Sequence, residues 1–547
     1  MIKLCLTTIT CITVSAAFAQ WNEDPSINNL ICAQPQDQQD VRITSDSKGG
    51  AIMAWVDFRN DVNELAADIF AQRISANGNN MWTANGLSVC TNNADQTAAV
   101  LTEDGIGGTI ITWQDWRNGN RDIYAQRIDS VGTVLWSTDG MGVAVKNSHQ
   151  SGPRIISDGA QGAVIVWEDS VNGNWDIYAQ RINSSGVAQW TTGGVVVCTA
   201  TGQQVNPKIV ADAGGSVYIA WQDKRNGNDY DVYCQKLNSS GAVQWIGNGV
   251  AVNTATNSQI NPKMVLDNSG AVIIAWQHYN TGAGYDVYAQ RLNPAGALQW
   301  TSSGVQVCAL NGNQSAIDMT AEDITDGAII SWKDGRTANV NIYCQKVDLN
   351  GNLSWTANGV LISNTARTQI NPNIVGDGNG GAIVTWQDSL AGIWDVYAQR
   401  IVSSGIVSWT NGGVAAGVAA DNQTGPKNVS DGMGGAIFSF QDKRGGDFDV
   451  YAYKLASNGT VTSVEEQTGN TSSISVFPNP FATNATVYLP EGKHNLNLYD
   501  LSGRVMSTAL NIRRNSYIIE KGNLSSGTYL LAITSENTNY SKLIIIQ

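Results

Sequence analysis

DAGGSVYIAWQDKRNGNDYDVYCQKLNSSGAVQW, residues Asp212–Trp245, is one copy of a pattern that fills most of the chain. Its aromatic anchor recurs at Trp55, Trp113, Trp167, Trp221, Trp276, Trp332, Trp386 and Phe440, spaced by 58, 54, 54, 55, 56, 54 and 54 residues. A fixed period of this size marks a repeat architecture.

Within one copy the apolar period is two, so the unit is built of strands. PKIVAD (Pro207–Asp212) and SVYIAWQD (Ser216–Asp223) flank a Gly-Gly turn, and DVYCQKLN (Asp231–Asn238) follows the KRNGN loop. After the Ser-Ser-Gly turn, AVQW with the following GVAV supplies a fourth strand. Four short antiparallel strands in about 54 residues match a propeller blade. The fourth-strand Trp stands at Trp82, Trp136, Trp190, Trp245, Trp300, Trp355 and Trp409, but the eighth copy runs out without one. Gln20-Trp21 leading to Leu30-Ile31-Cys32 resembles the missing piece. The expected fold is therefore all-β: an eight-bladed β-propeller of four-stranded antiparallel blades, closed by exchange of N- and C-terminal strands that leaves no blade edge open.

Composition narrows the function classes. Only 14% of the 547 residues are charged and the net charge is -14. Without clustered Lys and Arg no nucleic-acid partner is expected. Three histidines leave little material for a zinc site or a Ser/His/Asp triad. Lys3, the apolar Leu4 to Val14 and Ala17-Phe18-Ala19 read as a cleavable secretion signal, residues 1–19. No later run reaches transmembrane length, so no transmembrane segment is expected. Cys32, Cys90, Cys198 and Cys308 share one repeat position, Cys234 and Cys344 another, which argues for free buried thiols over a disulfide framework.

Internal recurrence separates architecture from candidates for function. Gln38, Gln96, Gln150, Gln204, Gln259, Gln314, Gln369 and Gln423 precede each first strand, and their side chains are expected to bond backbone in the adjacent blade. An Asp stands two residues past most anchors (Asp57, Asp115, Asp169, Asp223, Asp334, Asp388, Asp442) and a second opens the third strand (Asp68, Asp122, Asp176, Asp231, Asp286, Asp395, Asp449). Arg59, Arg117, Arg225, Arg336 and Arg444 are placed to bridge the two acids. Calcium is the alternative for these oxygens, but the spacing lacks a dense Asp-x-Asp-x-Asp-Gly loop, so no metal or other cofactor is assigned.

The loops between second and third strands, with the blade-to-blade connections, define the face on which to look for function. Trp175, Tyr230, Tyr285, Trp394 and Phe448 stand there, with His278, Tyr279 and Glu168 as breaks in the repeat. The aromatics, with His278 and Tyr279, are the candidate ligand-binding residues, suited to stacking on sugar rings or contacting a protein. No catalytic residues are assigned, because a hydrolase needs a distinguished carboxylate pair and these acids repeat almost identically. The blades also lack the Ser-x-Asp-x-Gly-x-x-Trp box of sialidases.

After Leu455 the pattern stops, and a Ser/Thr/Gly-rich linker leads to a module with short alternating strands, which reads as a small C-terminal β-sandwich. Its Pro478-Asn479-Pro480, Tyr499-Asp500-Leu501-Ser502-Gly503-Arg504, Ser526-Gly527-Thr528-Tyr529 and Lys542 before an apolar end resemble the type A sorting domain of the type IX secretion system of Bacteroidota. The resemblance implies passage across the outer membrane by type IX secretion machinery, with release or attachment at the cell surface. The expected organisation is signal peptide 1–19, propeller 20–456, linker 457–473 and sorting domain 474–547. Its expected role is non-enzymatic binding of a glycan or surface protein; a glycan-degrading enzyme and a structural surface-layer component are the alternatives.

Overall fold

Strands form in the quoted copy at Gln204–Ala211, Val217–Asp223, Asp231–Leu237 and Val250–Asn253, paired antiparallel in that order. The computed structural model describes residues 21–461, apart from 62, 64, 65 and 391, and 475–547, apart from 480, 490, 491, 501–503 and 536–538. The expected signal peptide and most of the expected linker lie outside the described residues, as do Pro480 and Gly503. The contacts divide the chain into two units, 1–463 and 464–547.

In the first unit the sheet of the quoted copy is one of eight. Sheets 1 to 7 span residues 38–90, 96–144, 150–198, 204–253, 259–308, 314–361 and 368–417. Sheet 8 takes three strands from Gln423–Ser430, Ala436–Asp442 and Asp449–Leu455, and its fourth from Asn29–Cys32, with Leu30 opposite Tyr451. Among the described residues there is no helix, so none is long and apolar enough to cross a membrane.

The second and third strands of sheet 1 are buried along their whole length, Ala51–Asp57 and Asp68–Ile74, because apolar side chains leave both faces. Each apolar cluster of this unit joins two neighbouring sheets. Val166, Ile177 and Trp190 of sheet 3 meet Ile219 and Trp221 of sheet 4, and Ile31, Val450 and Ala452 of sheet 8 meet Met53, Trp55 and Phe70 of sheet 1. The anchor Trp221 lies stacked beside Tyr233 on the next strand, ring centroids 6.4 Å apart. The glycine that opens the fourth strand is required by this ring: Gly249 has φ +85, and a Cβ there would fall 2.4 Å from Trp221 Cη2.

The AVQW segment differs from its expected place in the ladder. Only Val243 bridges to Leu237, and the paired fourth strand is Val250–Asn253. The segment instead aims its Trp at the following sheet. Trp190 Nε1 donates to Ser239 O (3.1 Å), Trp409 Nε1 to Ser457 O (3.0 Å), and Trp21 Nε1 to Ala76 O (2.8 Å), which carries the same bond from sheet 8 to sheet 1.

A set of ion pairs that recurs from sheet to sheet was not anticipated from the sequence. An Asp or Glu closes the first turn of each sheet and meets a cation on the third strand, as in Asp46–Arg73 (2.8 Å), Asp104–Arg127 (2.9 Å) and Glu322–Lys346 (3.1 Å). Asp46 also accepts the Gly50 amide at 2.8 Å, so one buried carboxylate fixes the turn and holds the strand behind it. Each first strand carries a bulge two residues past its Gln, with the bulged residue left-handed: Asp40, Ala98, Asn206, Asn261, Ala316 and Asn371 have φ between 50 and 56.

The second unit holds a three-stranded sheet, Ser475–Phe477, Asn484–Tyr488 and Ser516–Glu520, and a four-stranded one of order Val505–Ile512, His494–Tyr499, Gly527–Ser535, Asn539–Ile546. Phe481, Val487, Leu498, Leu531 and Ile544 fill one core between them.

Candidate functional site

The loops joining second to third strands begin at a buried acid. Asp223 accepts Trp221 Nε1 (2.7 Å), the Arg225 amide (2.9 Å), and Arg225 Nε and Nη2 (2.9 and 2.6 Å). The guanidinium lies 3.8 Å from the Tyr233 ring centroid and reaches Asn248 O at 2.7 Å. The expected bridge to the second acid does not form: Arg225 spends its fork on one carboxylate, and Asp231 accepts instead from Asn226 Nδ2. Asp57 and Asp68 repeat this division, with Arg59 on the first and Asn60 on the second. In sheets 3 and 7 the cation comes from the incoming connection, Lys146 to Asp169 (2.7 Å) and Arg367 to Asp388 (3.3 Å).

Sheet 5 breaks the arrangement. His278 replaces the acid, lies buried, faces Gln259 Nε2 at 3.2 Å and packs edge-on against Tyr288. Burial holds its pKa below the ordinary value, and Trp276 Nε1 has no hydrogen-bond partner among the described residues. His278 is thus placed behind the loop face.

Asp68, Asp176, Asp231, Asp286 and Asp449 among the second acids are buried without a guanidinium hydrogen bond, and burial raises the pKa of each. Asp68 is pushed up to about 6 by burial; at Asp449 burial does the same, with Asp442 and Asp447 adding repulsion. Since the folded carboxyls hold protons to higher pH than the usual 3.8, these two acids weaken the fold as pH rises from about 4 to about 6. Asp68→Asn with Asp449→Asn is expected to raise the melting temperature at pH 7.5 by a few degrees, with the gap to the parent closing below about pH 5. Equal destabilisation of the double variant at both pH values would contradict this. Among the described residues no cluster of three or more His, Cys, Asp or Glu is arranged to hold a metal ion. All six described cysteines are free and buried, and burial pushes the Cys32 thiol up to about 12.

The backbone of each candidate aromatic is tied to the following sheet. Trp175 O and Tyr230 O accept the amides of Gln204 (2.7 Å) and Gln259 (2.6 Å). The Trp394 and Tyr285 amides donate to Asn422 Oδ1 (3.0 Å) and Asn313 Oδ1 (3.1 Å). The recurring Gln opens its strand in seven sheets and is the second residue in sheet 7; the amides of Gln38, Gln96, Gln150, Gln204, Gln259 and Gln369 bond the preceding sheet, while the side chain holds its own incoming connection, as Gln150 Nε2 does with Ser148 O at 2.8 Å. The expectation that the Gln side chain reaches backbone of the adjacent sheet is met at Gln369, whose Oε1 accepts the Ile342 amide of sheet 6 at 3.2 Å, and is corrected at the other positions, where the side chain holds its own connection.

The aromatic side chains are half-buried at Trp175, Tyr230, Tyr285, Trp394 and Phe448, whereas Tyr279 is exposed. Tyr279 and Tyr285 face each other across the lengthened hairpin of sheet 5, centroids 5.2 Å apart. Lys224 lies over Tyr230 (5.4 Å) and Lys443 over Phe448 (5.3 Å). The densest group spans sheets 2 and 3. Arg121 lies 5.7 Å from the Trp116 ring and 5.8 Å from the Trp175 ring, and His149 packs 5.8 Å from Trp116. Trp116 and His149 were missed because neither recurs; their departure from the repeat was the available signal.

In the second unit Asn479 Oδ1 accepts the Ile545 amide (2.7 Å), and Phe481 pairs with Ile546, so both residues lie along the final strand. Asp500 closes its turn on Arg504, with Nε to Oδ2 at 3.0 Å. Tyr529 is buried, with its hydroxyl donating to Ser525 O at 2.9 Å. A Cβ at Gly527 would meet nothing within 4 Å. Lys542 is paired opposite Leu531 in the sheet.

The two units together define an all-β repeat body joined to a small β-sandwich tag. The family described as the secretion system C-terminal sorting domain matches residues 475–547, and these residues are the type IX secretion sorting domain of a secreted or cell-surface-attached protein. No curated protein matches the chain. Among solved structures, a protein of unknown function from Dyadobacter fermentans is similar at 12% identity over 69% of this chain and 97% of its own, with TM-score 0.37. PorZ, a surface component of the type IX secretion system of Porphyromonas gingivalis, is similar at 11% over 94% and 82%, TM-score 0.28. A family 25 polysaccharide lyase, an ulvan lyase, is similar at 10% over 65% and 91%, TM-score 0.40.

Proposed function

We propose that the eight sheets are the blades of a closed eight-bladed β-propeller over residues 20–456, and that its loop-bearing face binds a glycan or a surface protein. Support for closure comes from the pairing of Asn29–Cys32 with Asp449–Leu455 and from the Trp21 bond to Ala76 O. An export signal at 1–19 and the sorting domain deliver the protein, the latter through type IX secretion machinery.

The observation that carries the binding reading is the Trp116–Arg121–Trp175 group with His149 beside it. Two indoles and a guanidinium offer flat apolar surface and hydrogen-bond donors together, the combination that recognises a sugar ring or anchors a protein contact. It belongs to one pair of sheets only, unlike the acid–arginine motif that repeats around the body. Tyr279, Tyr285 and Trp394 extend the aromatic surface on sheets 5 and 7, and His278 supports it from beneath.

On a glycan array and against outer-membrane extracts, the intact protein is expected to retain a defined ligand. Trp175→Ala with Trp394→Ala is expected to weaken binding about tenfold or more, since a buried aromatic anchor contributes more than about 1.4 kcal/mol. Unchanged binding by that folded variant would remove this face from the reading, and turnover of a polysaccharide would replace binding with catalysis.

A further inference from the structure

The residue four places past each recurring Gln, beyond the bulge, occupies one equivalent position on all eight first strands. In a chain of net charge -14 that position is basic: Arg42, Arg154, Lys208, Lys263 and Lys427 occupy five of the eight places. Asp318 is its one acid, with Val100 and Asn373 in the remaining two.

Four of these side chains share one cavity. A cavity of about 170 Å³ is lined by Arg154, Lys208, Lys263 and Asp318, floored by Ile155, Ile209 and the neighbouring methionines. Arg154 and Lys208 repel each other, as do Lys208 and Lys263, and Lys427 is repelled by Arg42 and Lys263. The acids within reach pair with two of these cations, and among the described residues Arg154, Lys208 and Lys427 are left without a carboxylate ion pair. Asp318 is engaged by Lys263 (2.9 Å) and Asn373 Nδ2, and Asp40 by Arg42 (3.1 Å). Glu168, whose carboxyl is raised by burial, accepts the Asn206 amide at 2.7 Å. Among the described residues Arg154 Nη1 reaches Pro153 O (2.7 Å), Lys208 bends onto Asn206 Oδ1 and Pro207 O (3.2 Å), and the Lys427 side chain makes no hydrogen bond or ion pair. Partly buried cations facing one another without counter-charge are unfavourable unless an anion completes the set.

We infer that this cavity binds one oxyanion, a sulfate, phosphate or carboxylate group, with Arg154 and Lys208 as its direct ligands and Lys263 and Lys427 supplying field. The guanidinium fork and the ammonium donors match the oxygens of such a group. The group belongs either to a free ion or to a charged substituent of a glycan. This site stands on its own lining and is separate from the aromatic face.

The test is calorimetric titration of the full folded chain with inorganic sulfate, with inorganic phosphate and with a uronic-acid oligosaccharide, at constant ionic strength set by chloride. One-to-one binding is expected, at least tenfold weaker in Arg154→Gln with Lys208→Gln. Affinity is expected to fall as pH rises, because burial with Arg154 and Lys263 holds Lys208 well below the ordinary lysine value, and burial with Arg42 brings Lys427 down to about 8, so both lose charge. Because the substitutions relieve repulsion, the double variant is expected to melt no lower than the parent without added anion, which keeps the comparison between folded proteins. Tighter binding of the oligosaccharide, competitive with sulfate, assigns the site to a glycan substituent; binding of the inorganic ions alone assigns it to a free ion. Absence of saturable binding by all three probes, or equal binding by the variant, overturns the inference. Trp175→Ala with Trp394→Ala is expected to leave sulfate binding unchanged, so failure of the aromatic face and failure of this site are distinguishable.

Discussion

Removal of residues 21–32 is expected to leave a protein that does not reach a monomeric native state. Those residues contribute buried Trp21, Ile31 and Cys32 to the cluster shared by sheets 8 and 1, and the strand that covers Asp449–Leu455. Loss of a buried Trp alone costs about 3–5 kcal/mol, and a buried Ile about 2–5 kcal/mol more. The sum rivals the whole stability of many proteins, about 5–15 kcal/mol. The exposed edge of Asp449–Leu455 then invites pairing with other chains. The check is size-exclusion chromatography with thermal melting, followed by addition of a synthetic peptide of residues 21–33. The peptide is expected to restore a monomer with near-parental melting, and the same peptide carrying Trp21→Ala to restore less. A deleted protein that stays monomeric and melts within a few degrees of the parent would show that sheet 8 needs no partner strand.

The second large effect concerns delivery. Deletion of 464–547 is expected to abolish appearance of the protein in the medium and at the cell surface, because the sorting domain is what type IX machinery recognises. Melting of the body is expected to remain unchanged, since its eight sheets draw no strand from the second unit. Cell fractionation with immunodetection reads the first outcome and calorimetry the second. Surface display by the truncated chain would assign sorting to the body.

Much of the architecture was legible because the same side chains return every 54 to 58 residues. The anchors, the four strands and the missing fourth strand of the last copy all follow from that recurrence. Other features were not legible. AVQW looks like a strand by composition, yet its Trp is aimed at the next sheet and only Val243 bridges. The Asp46–Arg73 pair joins a turn residue to a strand residue 27 positions later, so its partners read as isolated charges until the sheet brings them together. Arg225 was correctly placed on an acid, but one planar fork satisfies one carboxylate, which left the second acid to Asn226. The candidate surface was read in part: the aromatic positions were visible, but side-chain exposure depends on loop packing, and unique residues such as Trp116 and His149 are invisible to a search for repeats. The basic position on the first strands was visible in principle, as one register across the copies, but only the fold shows that Arg154, Lys208 and Lys263 line one cavity.

The fourth strand of sheet 8 has a further consequence for how the body is made. Seven sheets are built from neighbours in sequence, whereas Tyr453 donates to Glu23 O across 430 residues. Bringing such distant segments together costs about 3 kcal/mol more chain entropy than closing a hairpin of a dozen residues. Assembly should therefore run from local hairpins to stacked pairs, with the seam between Trp21 and Leu455 knitting last. Heat, force or a protease should find that same seam first, since there alone side chains and hydrogen bonds stand in for a peptide linkage.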